Sequence, residues 1–123
     1  MVKQKAFTLI ELLVVMAIVA LLLTLAVPNY FARLDQAKET TLKHDLSSMR
    51  DAIDKFHGDR DRYPGSLDEL VSLGYLRALP PDPITDETTS WKTVAPTDGG
   101  EGVADIHSGS PGQAKDGTRY EDW

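Results

Sequence analysis

The feature that most constrains this chain is an apolar run near its N-terminus, residues 7–27, FTLIELLVVMAIVALLLTLAV. The only polar side chains in this run are those of Thr8, Glu11 and Thr24. A helix of this length rises about 30 Å, the thickness of the hydrocarbon core of a bilayer. Lys3 and Lys5 precede the run, and such cations are retained on the cytoplasmic side. The sequence therefore predicts a single membrane span whose C-terminal end lies outside the cytoplasm.

The rest of the chain is polar and acidic, which excludes several classes of function. The 123 residues carry 13 Lys and Arg against 19 Asp and Glu, a net charge of -6. This balance argues against nucleic acid as a partner, because that binding needs a positive face. There is no cysteine, and the histidines His44, His57 and His107 lack a metal-ligand spacing. Without a phosphate loop or a nucleophile elbow either, the sequence predicts a protein that is not an enzyme.

Glu11 is the most informative residue of the apolar run. An ionised side chain inside a membrane span costs roughly a few kcal/mol and usually has a partner of opposite charge. The run contains no cation. An α-amino group newly freed at Phe7 would supply one, in the same subunit or in a neighbour. The alternative is a carboxyl group at the membrane edge that is protonated or reaches into the interface.

The residues around Glu11 form a known pattern. The sequence Ala6-Phe7-Thr8-Leu9-Ile10-Glu11 before an unbroken apolar run resembles the class III signal of type IV pilins and pseudopilins. The resemblance implies that a prepilin peptidase removes residues 1–6 as a leader, cutting between Ala6 and Phe7. It also implies N-methylation of Phe7 and a role for Glu11 in subunit docking. The family usually has Gly before the cut, where this chain has Ala6.

Two other interpretations of the N-terminal segment stay open at this point. An ordinary secretory signal peptide would be cleaved after small residues such as those near Ala26. A plain single-span anchor would keep its N-terminus intact. Neither interpretation explains why the one acidic residue of the run lies at position 11.

Pro28 ends the purely apolar run. A proline inside a helix removes one hydrogen bond and clashes with the preceding turn, so a kink or local melting is expected there. In the pilin-like family, a proline at this place marks where the helix bends or unwinds on assembly. Further on, apolar residues at spacings of four, three, four and three predict an amphipathic helix over residues 29–57, ended by Gly58. These apolar residues are Leu42, Leu46, Met49, Ile53 and Phe56. The charged residues between them are expected on a solvated face.

The sequence of the C-terminal half predicts a short helix and short strands. Ser66 and Glu69 fit a capping box that starts a short helix, and a proline-rich connector follows at residues 80–83. Residues 90–94 and 103–107 alternate as strands do. The predicted fold class is α+β, with a long N-terminal helical spine packed against a small C-terminal antiparallel sheet. Residues 7–28 would form the transmembrane and filament-core helix, and residues 29–123 a periplasmic globular domain.

A second resemblance covers the C-terminal half. The series Arg62-Tyr63-Pro64, Gly74-Tyr75-Leu76, Leu79-Pro80 and Asp82-Pro83 is similar to the major pseudopilins of type II secretion systems. It implies a subunit held in the bacterial inner membrane and then assembled into a periplasmic filament that drives protein secretion. The implied partners are further copies of the chain, other pseudopilins, the prepilin peptidase, the inner-membrane assembly platform and, before assembly, lipid. The alternative function is that of a type IV pilin, major or minor, in adhesion, motility or DNA uptake.

The same resemblance implies a calcium site, because major pseudopilins often bind calcium in their last loop. The oxygen donors in that part of the chain are Ser108, Ser110, Asp116, Glu121 and Asp122. Calcium needs about six to eight oxygens that converge at roughly 2.3–2.6 Å. The alternative is a loop held by a turn at Asp116-Gly117, with Trp123 packing back on the domain.

Overall fold

The computed structural model describes residues 6–123, so most of the predicted leader lies outside the described residues. The elements are α1 (Leu9–Arg60), α2 (Leu67–Ser72), β1 (Lys92–Val94), β2 (Asp105–His107) and a single 3-10 turn (Tyr120–Asp122). The predicted α+β class is confirmed. The chain divides into two compact units, Met1–Gln36 and Ala37–Trp123.

The first unit holds the N-terminal part of α1. Every described side chain from Ala6 to Gln36 is exposed. Among the described residues, α1 is the one helix long and apolar enough to cross a membrane. The apolar surface of this segment is therefore not buried within its own unit, as expected for the predicted membrane span.

The second unit packs around the predicted apolar stripe of α1. Leu42, Met49, Ile53 and Phe56 are fully buried, and Leu46 nearly so. The rest of the core includes Ala52 from α1, Leu67 and Leu70 from α2, and Trp91, Val103 and Ile106 around the sheet. Burial of this many apolar side chains, each worth about 1.5–3 kcal/mol, is the main stabilising contribution.

The sheet is small and lies over this core. β1 and β2 pair antiparallel, with Lys92 opposite His107, Thr93 opposite Ile106 and Val94 opposite Asp105. The strand alternation turns Ile106 into the core between two half-exposed neighbours. Each strand is three residues long, shorter than the five predicted. The loops on either side depart from the ladder to make side-chain contacts.

The predicted end of α1 at Gly58 is wrong, because the helix continues to Arg60. Asp61 ends it instead, in the left-handed region with φ 53°. Its N–H donates to the carbonyl of His57 at 2.9 Å, which is the bond of an αL cap. Asp tolerates this conformation better than most residues, so no glycine is needed there.

The predicted capping box of α2 is half right. Ser66 occupies the N-cap position, but its side chain makes no capping hydrogen bond. Glu69 instead accepts a hydrogen bond from the Gly65 N–H at 2.7 Å. It also pairs with Arg62, whose Nη2 lies 2.5 Å from Glu69 Oε1. The carboxylate of Glu69 therefore fixes both the start of α2 and the turn before it.

Two charged residues of α1, expected on a solvated face, hold the C-terminal segment against the helix. Arg50 donates to Asp105 Oδ1 at 2.8 Å, to the carbonyl of Ile106 at 2.7 Å and to that of Trp123 at 2.9 Å. Glu39 accepts from the Tyr120 hydroxyl at 2.9 Å. These contacts join residues more than fifty positions apart, so helical periodicity could not predict them.

The last loop passes so close to the chain before β1 that only glycine fits at position 109. A Cβ atom added there would overlap the carbonyl oxygen of Ser90. The backbone atoms at this point cannot move apart without moving the loop. The close approach therefore depends on glycine having no Cβ atom.

We expect Gly109→Ala to lower the free energy of unfolding by about 2–3 kcal/mol through this overlap. The matched control is Gly58→Ala, where an added Cβ meets nothing within 4 Å. Because Gly58 lies inside α1, the control should raise stability by about 0.5–1 kcal/mol. Denaturant titration followed by the fluorescence of buried Trp91 measures both. Equal effects of the two variants would contradict the packing described here.

The Arg62–Glu69 pair predicts a dependence of stability on pH. The hydrogen bond from Arg62 lowers the pKa of Glu69 from 4.5 to about 2. The folded state therefore binds this proton more weakly than the unfolded state, and the stability from the pair is lost as pH falls from 4.5 towards 2. The melting temperature of wild type should exceed that of Glu69→Gln at neutral pH, and the difference should vanish near pH 2. Exposed Glu101, changed to Gln, serves as the control, and a pH-independent difference for Glu69→Gln would contradict the prediction.

Candidate functional site

The candidate site lies at the start of α1, where Thr8 and Glu11 bind each other's backbone. The Glu11 N–H donates to Thr8 Oγ1 at 3.2 Å, and the Thr8 N–H donates to Glu11 Oε2 at 3.3 Å. This reciprocal pair is a capping box, which satisfies two N–H groups that a helix start leaves free. The carboxylate also lies at the positive end of the helix dipole. The same carboxylate that the sequence marked as unusual thus holds the first turn of its own helix.

Sequence reasoning missed the role of Thr8. The signal was present, since Thr-x-x-Glu immediately before an apolar run is the pattern of a capping box. Both interpretations of Glu11 in the sequence, a charge that needs a cation and a carboxyl group at the membrane edge, leave out its bond to the backbone.

The surroundings of Glu11 are apolar and open. Phe7, Ile10, Val14 and Val15 form a shallow surface beside the carboxylate. Phe7 is 90% exposed. Among residues 6–123, no nitrogen of Lys, Arg or His lies within 4.0 Å of the Glu11 carboxylate. A carboxylate in an apolar surface of this kind can bind a cation brought by another chain.

The predicted cleavage point precedes this helix. Ala6 and Phe7 are not helical, and both are exposed. The first backbone hydrogen bond recorded for this region runs from the Leu12 N–H to the carbonyl of Thr8, one residue beyond Phe7. The Ala6–Phe7 peptide bond is therefore free of the helical ladder, a geometry that suits a peptidase. Cleavage and methylation there stay predictions.

Pro28 lies inside α1, whose helical assignment runs through it without a break. Polar side chains on either side bind carbonyls of their own helix. Thr24 Oγ1 donates to the Leu21 carbonyl at 2.6 Å, and Asn29 Nδ2 donates to that of Leu25 at 3.1 Å. Bending or unwinding at Pro28 on assembly stays a prediction.

The predicted calcium ligands fall into separate contacts. Ser108 and Ser110 lie together in a buried loop, where Ser108 Oγ donates to Asp82 Oδ2 at 2.5 Å. Ser108 Oγ also accepts a hydrogen bond from the Ser110 N–H at 3.2 Å. Asp82 itself is fully buried, and its second carboxylate oxygen accepts from the Ile84 N–H at 2.8 Å. This carboxylate, which was not among the expected ligands, thus joins the proline-rich connector to the last loop.

Two of the three acidic members of the expected set, Asp116 and Glu121, already bind other side chains. The hydroxyl and N–H of Thr118 both donate to Asp116 Oδ1, which lowers the pKa of that carboxyl. Glu121 pairs with Arg119 and with Lys92, whose Nζ lies 3.0 Å from Oε2. Asp122 is exposed in the 3-10 turn.

The five expected donors thus take part in different contacts in this structure. Across residues 6–123, no three acidic or histidine side chains are grouped so as to hold a metal ion. A cation at Glu121 would also compete with the two basic side chains already bound there. The Asp116-Gly117 turn and the packing of Trp123 against Tyr120, rings 5.2 Å apart, agree with the alternative interpretation of this loop. Calcium binding stays a prediction.

One family model matches the N-terminal segment. Residues 1–27 match the model described as the prokaryotic N-terminal methylation motif. The matched range includes the predicted cleavage point, the capping box and the apolar run up to Val27. No solved structure matches the chain at a significant level.

Relatives share most of the chain as well. The type II secretion system core protein G of Pseudomonas aeruginosa is 34% identical, over 86% of this chain and 82% of the relative. The proteins of the same name from Pectobacterium carotovorum and Escherichia coli K12 are 31% and 30% identical. These two matches cover 93% and 89% of this chain, and 83% of each relative. The chain therefore belongs to the family of type II secretion system core protein G, the major pseudopilins.

Proposed function

We propose that this chain is a structural, non-catalytic subunit of a type II secretion pseudopilus, a helical filament that drives protein secretion. The observation that carries the proposal is a single carboxylate, Glu11, on an otherwise apolar and exposed helix start. Its support is the family of the chain and the methylation motif that contains this residue.

Before assembly, the apolar segment of α1 would anchor the subunit in the bacterial inner membrane. Residues 9–27 rise about 27 Å, close to the thickness of the hydrocarbon core. Lipid would cover the exposed apolar side chains, and Lys3 and Lys5 would stay in the cytoplasm. The second unit would then lie in the periplasm. The net charge of the chain, -6, gives no reason to expect nucleic acid among its partners.

Processing would create a cation with which Glu11 can pair. A prepilin peptidase would cut the exposed Ala6–Phe7 peptide bond and methylate the new amine at Phe7. The amine is a cation on the same shallow surface as the carboxylate, but it belongs to a chain end that a neighbour can approach. Pairing the Phe7 amine of an incoming subunit with Glu11 of its neighbour neutralises both charges as they leave the membrane interface.

Assembly would exchange lipid for protein around the same helical surface. Copies of this chain, with other pseudopilins, would pack their apolar segments together on an inner-membrane platform. Van der Waals packing drives helix association where both surroundings are apolar, so the charge pair supplies specificity of register. Pro28 marks the position at which the helix could bend to fit this packing.

We expect Glu11→Gln to leave membrane insertion unchanged and to lower filament formation by about a hundredfold to a few thousandfold. Removing one partner of a buried ion pair costs about 3–5 kcal/mol, and each 1.4 kcal/mol is a factor of ten. Insertion is measured by carbonate extraction of membranes, and filaments by sedimentation and electron microscopy. Thr24→Val is the matched control, because it removes another polar group from the same run without removing a charge. Normal filaments from Glu11→Gln would contradict the docking role.

A further inference from the structure

Two large aromatic side chains, those of Tyr30 and Phe31, follow the apolar segment and are exposed. Tyr30 is 64% exposed and Phe31 is 57% exposed. Their rings touch only each other among the described aromatic residues, edge to face with centroids 5.7 Å apart. Both belong to the first unit, and no other aromatic residue occurs between residues 8 and 36. An exposed aromatic pair at one defined place indicates an interaction surface.

The length of the helix places this pair at a membrane boundary. From Leu9 to Tyr30 an α-helix rises about 32 Å, just beyond a hydrocarbon core of about 30 Å. The first charged side chains after Glu11 are Arg33 and Asp35, so the chain becomes polar directly beyond the aromatic pair. With Leu9 at one edge of the hydrocarbon, Tyr30 and Phe31 reach the headgroups at the other edge.

The hydrogen bonds before the pair fit the same boundary. Thr24 and Asn29 use their side chains to bind carbonyls of their own helix, so they need no water. A polar group satisfied in this way can lie in or beside hydrocarbon. The Tyr30 hydroxyl, in contrast, has no hydrogen-bond partner among the described residues, so it is available to headgroups and interfacial water. Residue 30 is therefore the position at which the helix first meets headgroups and interfacial water.

We propose that Tyr30 and Phe31 form an aromatic anchor that binds the lipid headgroup layer on the periplasmic face of the membrane. Aromatic rings with an apolar body and a polar edge favour this layer. Because α1 is continuous from Leu9, fixing the depth of Tyr30 also fixes the depth of Glu11 near the opposite face. The anchor is thus a positioning device for the docking carboxylate. The inference rests on the membrane insertion proposed above and adds the residues that set its depth.

The test places a fluorescent probe at the anchor in the full chain. Tyr30→Trp is reconstituted at low protein density into vesicles of phosphatidylethanolamine and phosphatidylglycerol. The lipid chains carry bromine, which quenches tryptophan, either near the ester linkages or near the chain ends. Ile18→Trp, in the middle of the apolar run, is the matched control. Wild type under the same conditions gives the background from Trp91 and Trp123.

The anchor predicts that bromine near the ester linkages quenches Tyr30→Trp more strongly than bromine near the chain ends. Ile18→Trp should show the reverse order. No quenching of Tyr30→Trp, or deep quenching like that of Ile18→Trp, would overturn the anchor while leaving insertion intact. If the tryptophan of Tyr30→Trp were shielded from water only at high protein density, the anchor would also be overturned, because a neighbouring subunit would then cover position 30. Absence of quenching for Ile18→Trp would instead show that the membrane insertion itself fails.

A second variant tests whether the aromatic pair sets the depth of the helix in the membrane or only contacts the lipid. In Tyr30→Ala combined with Phe31→Ala, the helix loses its anchor, so Ile18→Trp in this background should shift in depth or give a broader distribution of depths. The control combines Ile18→Trp with Leu34→Ala, a smaller change beyond the pair. The tryptophan of this control should keep the depth that it has when Tyr30 and Phe31 are present. An unchanged depth in the double alanine variant would overturn the positioning role.

Discussion

A long helix whose described side chains are all exposed up to Ala37 must be covered by something other than its own fold. Nineteen residues of that helix, 9–27, are apolar apart from Glu11 and Thr24. Water cannot cover such a surface without a large cost in free energy, since each apolar side chain left exposed forgoes about 1.5–3 kcal/mol. Lipid and other helices of the same kind are the two coverings available. Under the function proposed above, the chain uses both in turn.

In the proposed assembly, the exchange between two apolar coverings gives a single charge a large role. Moving a helix from lipid to a helical bundle gains little from the hydrophobic effect, because both surroundings are apolar. Packing and polar contacts therefore decide whether the exchange occurs and in which register. Glu11 is held at the helix start by Thr8, in a conformation that the capping box fixes before any partner arrives. A carboxylate held in this way loses less entropy when it meets an amine.

The second unit carries its own core, and its buried apolar residues all lie at or beyond Leu42. A two-stranded sheet with three-residue strands is marginal alone, so packing on α1 and α2 supplies most of its stability. Arg50 and Glu39 add hydrogen bonds that hold the C-terminal segment on the same helix. The folding of this unit therefore does not depend on whether lipid or protein covers the apolar segment. That independence suits a subunit that must change its surroundings without unfolding.

Periodicity predicted the parts of the structure that depend on local sequence. The apolar run, the buried stripe from Leu42 to Phe56 and the α+β class were all confirmed. Long-range contacts were not predictable, because nothing in the spacing of Arg50 or Asp82 shows which loop will meet them. The end of α1 was misplaced because Asp61 adopts a conformation usually left to glycine. The five expected calcium donors share one stretch of chain, but chain order could not show their contacts: Asp116 accepts from Thr118, whereas Glu121 pairs with Arg119 and Lys92.

Docking through Glu11 requires an amine that processing exposes at Phe7. The intact mass and N-terminal sequence of the protein purified from its native membrane test whether that amine exists. We expect a chain that begins with N-methylated Phe7. A chain that keeps Met1, or one that begins near Val27 after removal of the whole apolar run, would contradict this expectation.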